Sequence, residues 1–90
     1  MMKIEIYGKE TCPYCQRAKE AFKYAKLPYT EYVVGKDVSK QDIQDRINSL
    51  GISHEVKTVP QIFIDDNLIG GYTDLIQKYP WAMAYHNTVK

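Results

Sequence analysis

Long hydrophobic runs are missing from this chain. None of its 90 residues falls in a stretch approaching the ~20 apolar positions of a helical membrane span. Met1-Met2-Lys3-Ile4-Glu5 lacks the apolar core of a secretory leader, so a cytoplasmic location with no membrane partner is the expectation. An excess of one charge is missing too. Lys and Arg total 12 against 11 for Asp and Glu, a net charge of +1, which gives no electrostatic reason to expect nucleic acid or an anionic membrane as partner. No internal repeat, low-complexity tract or linker interrupts the chain, and a single domain over 1–90 is expected, long enough to bury a core without disulfide staples. Cysteine is scarce: Cys12 and Cys15 are the whole complement. In a reducing compartment a lone close pair is more often catalytic or metal-binding than a permanent crosslink.

Both cysteines stand in Thr11-Cys12-Pro13-Tyr14-Cys15, where a strand pattern gives way to a helix pattern. Proline is favoured at the first helical position, which puts Cys12 at the N-cap. There its sulfur accepts hydrogen bonds from the N–H groups of Tyr14 and Cys15. Sulfur accepts such bonds best as the thiolate, and the helix macrodipole adds about 0.3–1 kcal/mol for a negative group. Lys9 is the nearest candidate cation. Cys15, one turn later on the same face, is expected to point inward and keep the higher pKa. That division suits a redox pair in which Cys12 attacks and Cys15 resolves. The alternatives are a structural disulfide, two inert thiols, or half of a zinc site completed by His54 and His86.

Lys3-Ile4-Glu5-Ile6-Tyr7 alternates apolar and polar residues, which predicts a strand ended by Gly8. Cys15, Ala18, Phe22 and Ala25 recur at steps of three and four, which predicts an amphipathic helix from Cys12 to about Lys26, stopped by Leu27-Pro28. Tyr29 to Val34 is β-branched and aromatic, a second strand reached by a right-handed parallel crossover. Ser39 with Asp42 resembles a capping box for a second helix, with Ile43, Ile47 and Leu50 inward and Gly51 as its stop. Asp42, Asp45 and Arg46 are expected on its solvated face. A polar loop, Ile52 to Lys57, leads to a strand at Gln61–Asp65, a turn at Asp66-Asn67 and a return strand from Leu68. Gly70-Gly71 then opens a third helix, Tyr72 to Tyr79, with Thr73 as N-cap and Pro80 as its end. Residues 81–90 form a C-terminal extension whose Trp81, Met83 and Tyr85 are read as packing. The order β-α-β-α-β-β-α defines an α/β fold, a four-stranded mixed sheet flanked by helices on both faces.

Cys12-Pro13-Tyr14-Cys15 after the first strand, Thr58-Val59-Pro60 before the third, Gln61-Ile62-Phe63-Ile64-Asp65 itself, and Gly70-Gly71-Tyr72-Thr73-Asp74 after the hairpin occur in that order. In this combination the chain resembles the dithiol glutaredoxins of the thioredoxin-like superfamily, from residue 3 to about 79. The resemblance implies a glutathione-dependent thiol–disulfide oxidoreductase with catalytic Cys12 and Cys15 and a cis Val59-Pro60 bond beside them. Glutathione would be a co-substrate and no cofactor would be permanently bound. Its binding would involve Lys9 at the glycyl carboxylate, the main chain of Thr58, Val59 and Pro60, Tyr14 along the groove, and Gly71, Tyr72, Thr73 and Asp74 at the γ-glutamyl end.

The same resemblance implies disulfide-bearing proteins as partners, ribonucleotide reductase among them, and a monomer is expected. Many family members carry two acidic residues where this chain has Thr73-Asp74, which implies looser recognition of the substrate ammonium. Two rival readings share the motifs: a thioredoxin-like redoxin served by a flavoprotein reductase, and a carrier of metal or iron–sulfur clusters that uses Cys12 with glutathione. Pro13 speaks against the carrier, because family members that hold clusters usually relax that position.

Overall fold

The computed structural model describes residues 2–89. Its elements are β1 (Ile4–Gly8), α1 (Pro13–Tyr24), β2 (Thr30–Val33), α2 (Lys40–Ser49), β3 (Gln61–Ile64), β4 (Asn67–Gly70), α3 (Tyr72–Lys78) and α4 (Pro80–Val89). The strands form one mixed sheet in the order β2-β1-β3-β4. β1 runs parallel to β2 and antiparallel to β3, and β4 returns antiparallel to β3. This is the α/β, thioredoxin-like arrangement expected from the sequence.

The period-two alternation of the central strands feeds two cores. Ile4 and Ile6 of β1, with Ile62 and Ile64 of β3, pack with Ala18, Ala21 and Phe22 of α1, Leu75 of α3 and Ala82 of α4. On the opposite face, Tyr7 and Phe63 pack with Ile43 and Ile47 of α2 and with Val56. Helices therefore cover both faces of the sheet.

Some local expectations change. The hairpin turn is Asp65-Asp66, one residue earlier than read: both residues have positive φ, 53° and 64°, the geometry that two-residue hairpin loops favour. α3 is capped at Gly71, not Thr73. The Asp74 side chain reaches back to accept the Gly71 N–H at 2.9 Å, so the start of α3 is held by this carboxylate and not by a Thr73 hydroxyl cap. Pro80 ends α3 but also opens α4, where it occupies the first position.

Arg46, read as solvated, instead turns back over the sheet. It donates to Glu5 at 2.7 Å, to Asp66 at 2.8 Å and to the Tyr7 hydroxyl at 2.9 Å, with its guanidinium 4.3 Å from the centre of the Phe63 ring. Glu5, at 7% exposure, is a charged residue buried in a central strand, and Arg46 at 2.7 Å, with Lys3 more distant at 3.9 Å, makes this burial tolerable. The capping box of α2 is present as expected, with Ser39 and Asp42 bonding each other's main-chain N–H groups.

Candidate active site: a cysteine pair at a helix start

Cys12 adopts extended backbone angles (φ −92°, ψ 113°) at the N-cap of α1, with Pro13 following it. Its sulfur accepts the Cys15 N–H at 3.1 Å. The second bond expected from the Tyr14 N–H does not form, and among the described residues the Cys15 N–H is the one amide on this sulfur. Cys12 is partly exposed and Cys15 buried, and both are free cysteines. Burial, reinforced by the neighbouring Cys12 sulfur, pushes the Cys15 thiol up to about 12. The two sulfurs thus differ as the sequence implied: one accessible and seated on a helix start, the other held as a buried thiol.

Gly8 makes this packing possible. A Cβ at residue 8 would lie 2.8 Å from the Cys15 sulfur, so the end of β1 must be bare for α1 to approach. Read from the sequence, Gly8 only ended a strand. Its proximity to a site cysteine was the missing signal.

The Thr58-Val59-Pro60 segment faces the pair. Val59-Pro60 is cis, and the Val59 carbonyl oxygen is 3.8 Å from the Cys12 sulfur. Lys9 is exposed at the mouth of a cavity of about 140 Å³ lined also by Lys40, Lys57, Val56 and Val59. Lys40 and Lys57 were not singled out from the sequence, because Lys40 reads as the polar start of α2 and Lys57 as loop. The fold brings them with Lys9 to the lining of this one cavity, which also reaches Val59.

At the other end, a Cβ on Gly71 would come 3.7 Å from the Pro60 carbonyl oxygen, so the Gly71–Asp74 turn abuts the Pro60 segment. Thr73 and Asp74 are exposed there, and Tyr14 is 57% exposed above α1. Tyr72 is expected with Gly71, Thr73 and Asp74 at the γ-glutamyl end. It is buried, stacks on Tyr14 with ring centres 6.0 Å apart, and shares a 3.0 Å hydrogen bond with His86 Nδ1. Burial raises its phenol pKa. His86 is thus engaged on α4, His54 is exposed in the loop before β3, and among the described residues no three His, Cys, Asp or Glu side chains gather as a metal site would require.

A partly exposed cysteine at a helix start, a buried second cysteine one turn on, and an opposing X-Pro loop, all on a mixed four-stranded sheet, define a thiol–disulfide oxidoreductase of the thioredoxin-like class. Comparison with known proteins narrows the class. The glutaredoxin family model matches residues 4–69. Glutaredoxin 3 of Escherichia coli K12 is 41% identical over 75 residues, covering 83% of each chain. The crystal structure of glutaredoxin 1 from Francisella tularensis, solved with cacodylate, superposes with a TM-score of 0.71 at 33% identity over 99% of this chain and 96% of that one. The solution structure of a dithiolic glutaredoxin from Trypanosoma brucei brucei gives a TM-score of 0.68 at 29% identity, covering 92% and 84%. The chain belongs to the glutaredoxin family.

Proposed function

We propose that the protein is a glutathione-dependent oxidoreductase that reduces glutathione mixed disulfides and protein disulfides, with Cys12 as nucleophile and Cys15 as resolving thiol. The observation that carries this is the asymmetry of the pair: Cys12 is accessible with a main-chain N–H on its sulfur, and Cys15 is buried with its thiol pushed up to about 12. The thiolate is the attacking species.

Cys12 attacks one sulfur of the substrate disulfide. A Cys12–S bond forms, the old S–S bond breaks, and the departing thiolate takes a proton from water. A free glutathione thiolate can then attack the mixed disulfide, releasing glutathione disulfide and returning Cys12. On protein substrates Cys15 loses its proton and displaces the partner, closing a Cys12–Cys15 disulfide that two glutathiones reduce. Burial, the main cause of the raised Cys15 thiol, persists in the mixed disulfide, while the contribution of the free Cys12 sulfur is lost, so the resolving sulfur becomes easier to deprotonate when it is needed.

The groove suits the tripeptide. Lys9, joined by Lys57 and Lys40, supplies charge for the glycyl carboxylate. The main chain of Val59 offers strand-like hydrogen bonds to an extended peptide. Main-chain N–H groups at Thr73 and Asp74, with the Asp74 carboxylate, serve the γ-glutamyl end. A monomer acting in the cytoplasm on protein disulfides, ribonucleotide reductase among them, completes this reading.

Incubation of the Cys15→Ser variant with glutathione disulfide is expected to add one glutathione to Cys12, seen by intact mass and peptide mapping, with turnover of glutathione mixed disulfides retained. Cys12→Ser is expected to gain none and to lose turnover; substantial residual activity in that variant contradicts the assignment.

A further inference from the structure

We propose that Gln61 is a positioning residue for disulfide exchange, fixing the Thr58–Val59 main chain at the distance and angle from Cys12 that an extended peptide substrate requires. This rests on the reading of the Val59 main chain as the peptide-holding edge of the groove.

Gln61 is the first residue of β3, paired with Tyr7 of β1 and buried at 3% exposure. It faces the side of the sheet where Tyr7 and Phe63 pack with α2. Its amide nitrogen donates to the Thr58 carbonyl oxygen at 2.8 Å, spanning the Val59-Pro60 segment from beneath. The amide oxygen, by contrast, is buried with no protein donor among the described residues.

An apolar side chain would fill the same space without burying an unmet acceptor, and buried polar atoms are ordinarily paired. Packing therefore does not explain an amide here, whereas the bond to Thr58 does. Thr58 itself is exposed, and Pro60 has no N–H to contribute. Without the glutamine the carbonyl preceding Val59 has no side-chain anchor beneath it. The next carbonyl along, that of Val59, is the one 3.8 Å from the Cys12 sulfur. The order of contacts is thus Gln61 to Thr58, Thr58 to Val59 through the chain, and Val59 to the reacting sulfur.

A positioning role separates peptide from non-peptide substrates. The test uses pre-reduced protein in single turnovers against two mixed disulfides of thionitrobenzoate, one with a short cysteine peptide and one with 2-hydroxyethanethiol. In each, Cys12 bonds the aliphatic sulfur, of the peptide cysteine or of 2-hydroxyethanethiol, the S–S bond breaks and the aryl thionitrobenzoate thiolate leaves, read by its absorbance. Gln61→Met matches the shape but cannot donate, and Gln61→Asn keeps the amide on a stem too short to reach.

In both variants, folded by circular dichroism, the rate with the peptide substrate is expected to fall about two- to tenfold, the range of one net hydrogen bond. The rate with the hydroxyethyl substrate is expected to stay within about twofold. Equal falls for both substrates would make Gln61 a general structural residue, and no fall for either would remove it from the site; each result overturns the proposal. Glutathione is absent from this assay. Failure of the glutathione reading would appear instead as wild-type protein that discriminates between the two disulfides yet does not turn over with glutathione.

Discussion

Gly8 and Cys15 meet where β1 hands over to α1, and a methyl group at residue 8 would press to 2.8 Å from the sulfur. Cys15 Cβ would lie only 3.0 Å away as well, and it moves only with the helix backbone, so a rotamer change alone cannot relieve the clash. Gly8→Ala is expected to cost about 1–3 kcal/mol, as overpacked cores do, and to slow exchange at Cys12 by tilting the helix start. Urea unfolding with a thiol-exchange assay checks both.

Cys15 makes a pH prediction. Its thiol is raised from an ordinary value of 9.0 to about 12 by burial, so the folded state holds a proton that the unfolded chain releases sooner. Stability from this group is full below pH 9 and is lost as the pH climbs toward 12. The reduced wild type is expected to lose stability more steeply over that window than Cys15→Ala, measured by urea midpoints at stepped pH. A steeper loss in the variant refutes it. The unequal exposure of the pair was legible from spacing alone, because Pro13 fixes the helix start and the helical period then turns Cys15 inward. The contact of Gly8 was not, since it depends on how closely two elements approach.

α2 shows where an element's surface residue becomes an internal one. Its charged face gave no sign from sequence that Arg46 would leave solvent, because its partners, Glu5 and Asp66, lie far away in the chain and come together only when β1, β3 and β4 pair. Arg46→Met removes the partner of a buried carboxylate, and a loss of about 3 kcal/mol is expected, at the lower end for a broken buried pair because the site is partly open. Asp66→Asn, at an exposed position, is expected to stay close to wild type. Chemical denaturation of the two variants side by side decides; equal losses contradict the role given to Glu5. α4 was hidden for a different reason. Proline stops one helix and starts another equally well, and only tertiary packing distinguishes the two. Here Trp81 lies 5.7 Å from Phe22 ring to ring, and Ala82 and Tyr85 enter the core shared with α1 and α3.

Across the whole molecule, strand alternation and helical period placed most of both cores, since each follows from one element's own sequence; Leu50, expected inward, is instead exposed just past the end of α2. The groove around Cys12 was legible only as separate motifs. Thr58-Val59-Pro60 and Gly71–Asp74 could be named, yet their contact with each other, and the gathering of Lys40 and Lys57 beside Lys9, are products of the sheet order. The proposal of glutathione as electron donor, over a flavoprotein reductase acting directly, draws on that assembly: Lys9, Lys40 and Lys57 line one cavity with Val59, and the Gly71–Asp74 turn abuts Pro60. The decisive measurement is NADPH-linked reduction of a disulfide substrate by this protein, run in parallel with glutathione plus glutathione reductase and with thioredoxin reductase. Sustained turnover with the glutathione system, abolished by Cys12→Ser, is expected; turnover with thioredoxin reductase alone would contradict glutathione as the donor.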